Sequence, residues 1–422
     1  MLKQIEGSQA VAEAIALCRP QVICAYPITP QTHIVEGLAA LVKAKQLQGC
    51  EFVNVESEFA ALSGVIGSSA AGARSYTATS SQGLLFMAEA VYNASGLGLP
   101  IVMTLGNRAI GAPINIWNDH SDSMAMRDSG WIQIFAETNQ EAVDLHILAF
   151  RLAEELSCPV MVCVDGFILT HAYERIDIPT QEQVDAFLPP YEPVQVLDTK
   201  EPVSIGAMVG PDAFAEVRYL AHHKQMRALE LIPAIGADFE RHFGRKSGGL
   251  IHHYRTEGAE VVVVALGSVN GTIKDVIDDM RTEENIPIGS ISICSFRPFP
   301  LAALRESLKD VKCVIVVEKS LDVGLGGAVD PNVRMALRGL AKPLFTAIAG
   351  LGGRPITKNS LRNFFKQAMK GELDTPHFLD LDWAVVNREL ERGRKTRRSG
   401  PIAENILRDI GPGGPLAGGE SS

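Results

Sequence analysis

Up to Asp165 the chain alternates short apolar runs with longer stretches whose apolar residues recur at helical spacing. The runs are Val22 to Tyr26, Phe52 to Val55, Ser75 to Thr79, Ile101 to Leu105, Ile132 to Ala136 and Val160 to Val164. Between them lie the helix-like stretches Ala10 to Leu17, Ile34 to Val42, Phe59 to Ala73 and Glu141 to Leu156. Strand–helix alternation of this kind predicts an α/β unit with a mostly parallel sheet covered on both faces.

The rhythm breaks over residues 166–255, where Ile178-Pro179, Leu188-Pro189-Pro190 and Gly210-Pro211 interrupt it before a helix-like stretch from Phe214 to Phe243. A connecting arm with an embedded helix is expected there. Over residues 256–375 the alternation resumes, with strands expected at Val261 to Leu266, Ile288 to Ile293, Val314 to Val317 and Leu344 to Ile348. This predicts a second, smaller α/β unit. Residues 376–422 carry a basic run (Arg388, Arg392, Arg394, Lys395, Arg397, Arg398) and a Gly-Pro-Ser-rich end, and are expected to form an extended tail, partly disordered or draped on a partner.

Two units fit 422 residues, more than one hydrophobic core usually organises. The net charge of −10 argues against nucleic acid and against an anionic membrane surface, both of which need a basic face. No apolar run reaches the length of a membrane span, and the N-terminal residues lack the apolar core of a signal peptide, so a cytoplasmic location is expected. The seven cysteines, odd in number and with no C-x-x-C spacing, read as buried reduced thiols, not as disulfides, zinc ligands or cluster ligands.

Sparse polar residues punctuate the ends of the first unit's apolar runs, where open α/β sheets bind their ligands. Ser57 suits a helix N-cap, which puts Glu58 in the first turn of a helix rich in small residues. Two readings of Glu58 stand side by side: an acid that favours the positive end of a helix dipole, or one that exchanges a proton with a ligand nitrogen. Glu56 is near enough that spacing does not choose between them. Thr29, set between Ile28 and Pro30 with Pro27 close by, offers a hydroxyl on a stiffened loop, for a ligand or for its own backbone. Arg108 follows a strand end and could clamp a carboxylate bidentately or pair with an acid. Thr79-Ser80-Ser81-Gln82-Gly83 reads as a strand-to-helix switch with an N-cap at hand, and could also line a cofactor pocket. Asp119, His120 and Asp122 read as a loop hydrogen-bond network in preference to a metal site, and no metal ligands are assigned in this chain. Gly324-Leu325-Gly326-Gly327 lacks the full dinucleotide fingerprint and is rejected as one.

Taken in order, Tyr26-Pro27-Ile28-Thr29-Pro30, Glu56-Ser57-Glu58, Thr79-Ser80-Ser81-Gln82-Gly83-Leu84 and the segment Asn107 to Asp122 resemble the α subunit of the 2-oxoacid:ferredoxin oxidoreductases. These are thiamine-diphosphate enzymes that include pyruvate synthase, and the resemblance runs from the N-terminus to about Trp383. It implies a pyrimidine-type thiamine-diphosphate domain followed by a unit similar to the C-terminal domain of transketolases. It implies that Glu58 hydrogen-bonds N1′ of the cofactor's aminopyrimidine and that Arg108 and Thr29 hold a 2-oxoacid carboxylate. Thr29, Pro30, Ser81 and Gln82 are implied to contact the cofactor.

The implied reaction is oxidative decarboxylation of a pyruvate-like, branched-chain or aryl 2-oxoacid with coenzyme A to acyl-CoA and carbon dioxide. The chain shows no Gly-Asp-Gly metal loop for the diphosphate and no cluster cysteines. Magnesium and the diphosphate are therefore expected on a β subunit, and [4Fe-4S] clusters on a ferredoxin-like partner, with a γ-type subunit and an optional flavin/NAD subunit completing a dimer of the heteromer. A non-catalytic scaffold subunit and a transketolase-like thiamine enzyme component are the alternatives.

Overall fold

The computed structural model describes residues 2–395 and 400–415. Eight strands come from the first part of the chain: β1 (Leu2–Glu6), β2 (Val22–Ala25), β3 (Glu51–Asn54), β4 (Ser75–Thr79), β5 (Val102–Asn107), β6 (Ile132–Phe135), β7 (Val160–Asp165) and β8 (Tyr173–Asp177). Seven follow: β9 (Ile251–Tyr254), β10 (Val261–Ala265), β11 (Ile288–Ile293), β12 (Ser295–Arg297), β13 (Cys313–Glu318), β14 (Leu344–Ile348) and β15 (His377–Phe378). They build a seven-stranded sheet ordered β12-β6-β7-β5-β4-β2-β3, a six-stranded sheet ordered β15-β14-β13-β10-β11-β9, and the pair β1-β8.

Both large sheets are parallel except at one edge each, where β12 runs antiparallel to β6 and β9 antiparallel to β11. The central strands β4, β5, β6 and β7 are buried along their whole length, as strands of a parallel sheet covered on both faces are. Strand order reverses at β2, because β3 lies on one side of it and β4 on the other. The loops leaving β2 and β4 therefore diverge and open a crevice at the carboxyl ends of the strands.

The helices follow the expected periodicities with small shifts at their ends. The helix Glu58–Ala70 stops short of Ala73 because Gly72 turns the chain at φ +92°. The stretch 166–255 contributes β8, paired with β1, and a 33-residue helix, Pro211–Phe243. The second half of that helix is anchored: Phe239 is fully buried, edge-on to Phe187 and stacked with Phe243 at 4.2 Å, and Asp238 pairs with Arg151. The first half leaves Phe214, Tyr219 and Leu220 exposed. Residues 376–422, expected as an extended tail, hold β15 and the helices Trp383–Lys395 and Ile402–Ile410. Asp409 draws these two helices together by accepting from Arg388 at 2.8 Å and Arg392 at 2.6 Å. Arg397, Arg398, the Gly-Ser end and the side chains of Arg394 and Lys395 lie outside the described residues.

The two sheet units share apolar packing. One buried cluster joins Met161 and Cys163 of β7 to Val264, Ile291 and Val316 of the second sheet. All seven cysteines are free and buried. Among the described residues no helix is long and apolar enough to cross a membrane. Replacing Phe239 with Ala should lower the unfolding free energy by about 3–5 kcal/mol in denaturant titrations, whereas Phe214→Ala, exposed on the same helix, should change it by less than about 0.5 kcal/mol.

Candidate active site

Four segments meet at the crevice: the loop after β2, the first turn of the helix Glu58–Ala70, the turn after β4, and the loop after β5. Ser57 caps the helix as its sequence predicts, accepting from the Ala60 amide at 3.2 Å. Glu58 follows, 8% exposed, and no donor among the described residues is bonded to its carboxylate. A near-buried carboxylate without a partner is costly unless something else supplies the donor. Beside it the buried hydroxyl of Thr79 also has no hydrogen-bond partner among the described residues. Gly83 closes this small cradle; a Cβ there would stand 2.5 Å from Thr79 Oγ1 and 2.9 Å from Glu58 Oε1.

Pro30 is buried, and a Cβ on Gly166 would come within 2.5 Å of its ring, so glycine lets the end of β7 approach the loop. Thr29 is exposed. The structure brings Thr29 and Arg108 together through the main chain: Arg108 Nη1 donates to the Thr29 carbonyl and its Nε to the Asn115 carbonyl, both at 2.9 Å. Nη2 makes no hydrogen bond among the described residues. Burial lowers the Arg108 guanidinium from its ordinary value, with Asp122 opposing.

Ser81 departs from the expected N-cap. Its backbone sits at φ +48°, and its hydroxyl lies 2.5 Å from the Ala109 carbonyl instead of bonding the following helix Gln82–Phe86. Gln82 Oε1 is also 2.5 Å from that hydroxyl, so the pair fastens the β4 turn to the β5 loop. Asp122 completes the fastening. One of its oxygens accepts from the Ser81 and Arg108 amides, each at 3.0 Å, and the other from Asn107 Nδ2 and the Ser123 amide. Burial raises the Asp122 carboxyl to about 7, against the pull of those four donors. Because every neighbour donates, a proton on Asp122 meets no acceptor, and the network is built to hold the carboxylate.

Asp119 and His120 point elsewhere, so the acidic-histidine stretch is divided among three networks. Asp119 accepts from the Gly352 amide of the second unit. His120 Nε2 lies 2.6 Å from Asp165, itself 3.1 Å from Lys319 Nζ, with all three side chains at most 3% exposed. Burial alone would raise the Asp165 carboxyl, but Lys319, His120 and Ser268 outweigh it and hold it well below its ordinary value. Lys319 also donates to Asn118. Asp122, Asp165 and Lys319 thus position the Arg108 loop; Asp122 was expected in a loop hydrogen-bond network, whereas the sequence pattern marked neither Asp165 nor Lys319. The available signal was an acid closing each of two buried strands, Asp165 on β7 and Glu318, beside Lys319, on β13.

Residues 13–235 match the family model described as the thiamine-diphosphate-binding domain of pyruvate flavodoxin/ferredoxin oxidoreductases, and residues 259–361 match core domain II of pyruvate:ferredoxin oxidoreductase. The chain is 45% identical to the pyruvate synthase subunit PorA of Methanosarcina barkeri, over 87% of this chain and 92% of that one. The chain belongs to the 2-oxoacid:ferredoxin oxidoreductase family. As an α-type subunit it is also 45% identical to PorA of Thermotoga maritima, over 89% and 97% of the two chains. It is 37% identical to the ketoisovalerate oxidoreductase subunit VorA of Pyrococcus horikoshii, over 92% and 98%.

Among solved structures, the 2-oxoglutarate:ferredoxin oxidoreductase of Magnetococcus marinus superposes with a TM-score of 0.66 at 20% identity; the match takes in 87% of this chain and spans 65% of that one. A split-gene transketolase superposes at 0.53 and 14% identity, over 88% and 100%. The expected fold, a thiamine-diphosphate-binding domain followed by a transketolase C-terminal-like unit, is what this α subunit has. The unpartnered Glu58 carboxylate and Thr79 hydroxyl, with a glycine in place of any side chain between them, fit a polar heterocycle of the kind that family model names.

Gly83→Ala should fill the cradle and abolish retention of thiamine diphosphate on gel filtration of the assembled enzyme while far-UV circular dichroism stays unchanged. Asp122→Asn sets an amide donor against two of the four donors it faces, and should lower stability by about 1–3 kcal/mol, read by thermal unfolding.

Proposed function

We propose that the crevice is the pyrimidine side of a thiamine-diphosphate site in which a 2-oxoacid, with pyruvate the first choice, is oxidatively decarboxylated with coenzyme A to an acyl-CoA. The observation that carries this reading is Glu58, nearly buried, donor-free and facing a glycine-lined cradle with an orphaned hydroxyl. Such a carboxylate can hold and exchange a proton with a ring nitrogen such as N1′ of an aminopyrimidine. When bound, thiamine diphosphate supplies the electron sink that lets a 2-oxoacid lose its carboxyl group.

The Arg108 Nη2 and the exposed Thr29 hydroxyl lie on one loop pair, where they would orient the substrate carboxylate by charge and hydrogen bond. Pro30 shapes that loop, and Ser81 and Gln82 keep the β4 turn open toward the cradle. Two PorA relatives at 45% identity support pyruvate, and the VorA relative makes a branched 2-oxoacid the second substrate to test.

The rest of the site belongs to partner subunits: a β subunit for the diphosphate and Mg2+, a γ-type subunit, and a ferredoxin-like subunit with [4Fe-4S] clusters that passes electrons to ferredoxin, in the cytoplasm. Phe59 and Phe86 support a partner wall at this place. They stand exposed on the helix that begins at Glu58 and on the neighbouring helix Gln82–Phe86, with ring centroids 6.4 Å apart. Residues 1–165 and 256–375 would then serve as the cofactor unit and the unit that braces it, with 166–255 between.

In the assembled complex Glu58→Gln should reduce pyruvate-dependent, coenzyme A-dependent reduction of a low-potential dye by about 10²–10⁴-fold. Turnover near that of the unsubstituted complex would overturn the reading. Arg108→Met should chiefly raise KM for the 2-oxoacid, and the same assay with 2-oxoisovalerate, 2-oxoglutarate and phenylglyoxylate ranks the substrates.

A further inference from the structure

Three segments remote in sequence place two imidazoles and a carboxylate together. Glu6 ends β1, His33 lies in the first turn of the helix Thr32–Lys43, and His171 sits in the turn after β7. One ligand atom from each lies within 4.8 Å of those of the other two. We propose that Glu6, His33 and His171 form a binding site for a borderline divalent transition-metal ion, Zn2+ in the first place.

The donor chemistry is specific. Imidazole nitrogens with one carboxylate suit Zn2+, Co2+ or Ni2+, whereas Ca2+ and Mg2+ want shells of oxygen. Three protein ligands leave room for water to complete a four-coordinate ion. The site is also preorganised. The Gly7 amide donates to the Ala172 carbonyl, and the Ser8 amide and hydroxyl both donate to the Thr170 carbonyl, which pins the end of β1 to the turn that bears His171.

Thr170 Oγ1 lies 2.7 Å from His171 Nδ1 and accepts from the Phe167 amide, the kind of outer hydrogen bond that fixes a ligand imidazole. The His33 and His171 rings lie with centroids 4.8 Å apart, tilted by 40°, and Glu6 Oε1 reaches His33 Nδ1 at 2.6 Å. His33 is about half exposed, so an ion can enter without opening the fold. None of the three residues belongs to the proposed thiamine site, and the inference does not rest on that reading.

The test is a Co2+ titration of the full chain after chelator treatment, followed by optical spectroscopy. One equivalent should bind with the visible d–d bands of a nitrogen–oxygen site and without a thiolate-to-cobalt charge-transfer band; Zn2+ should displace it and Mg2+ should not. His33→Ala and His171→Ala should each weaken binding by about tenfold or more. His33 is the deciding variant because its exposure spares the fold. Absence of stoichiometric binding, or affinity unchanged in His33→Ala, overturns the proposal. So does a charge-transfer band that persists in His33→Ala, which would put the ion at the other convergent group, Glu141, His252 and Cys294.

Discussion

The Asp165 carboxylate is the constraint on which the site rests. It ends β7 in a dry junction between the two sheet units, where an unpaired charge would be strongly destabilising. Lys319 and Ser268 from the second unit reach it from one side, and His120 from the first unit's own loop reaches it from another. Because one charge needs all of them, docking of the units and the shape of the loop that carries Arg108 are a single event. The second unit is accordingly part of the site's architecture: Gly352 and Lys319 hold the loop through Asp119 and Asn118.

Within the crevice, rigidity comes from a division of labour among polar groups. Asp122 spends both oxygens on four donors and sets the backbone around Ser81 and Arg108. Ser81 accepts an unusual backbone angle and spends its hydroxyl on the neighbouring loop. Glu58 is left over, buried but unspent. Chemistry at a folded site requires such an asymmetry, since a carboxylate already saturated by the protein has nothing to offer a ligand.

Much of the frame was legible in the sequence. The apolar run Val160 to Val164 became β7 with a one-residue shift, because a strand buried on both faces leaves an unbroken record. Ser57 read as a cap and is one. Other features were not legible. The hydroxyl of Ser81 matches the composition of a cap, but φ +48° is imposed by tertiary contacts that no local pattern encodes. Nothing in the local pattern marks Lys319, which is 3% exposed because its partner Asp165 lies over 150 residues earlier in the chain. The packing of Trp383–Lys395 on Ile402–Ile410 was hidden for a similar reason: Asp409 pairs with two members of a run that, read alone, looks like solvated charge.

β12 ties synthesis of the protein to its assembly. The outer edge of the first sheet is β6, and what covers it is not a neighbouring segment but three residues, Ser295 to Arg297, that leave the ribosome long after β6 does. Until then β6 presents a row of unpaired amides and carbonyls to whatever strand is near. The nascent chain therefore passes through a stage in which its first sheet is open-sided, and the strand that seals it comes from within the second unit, ahead of β13, β14 and β15.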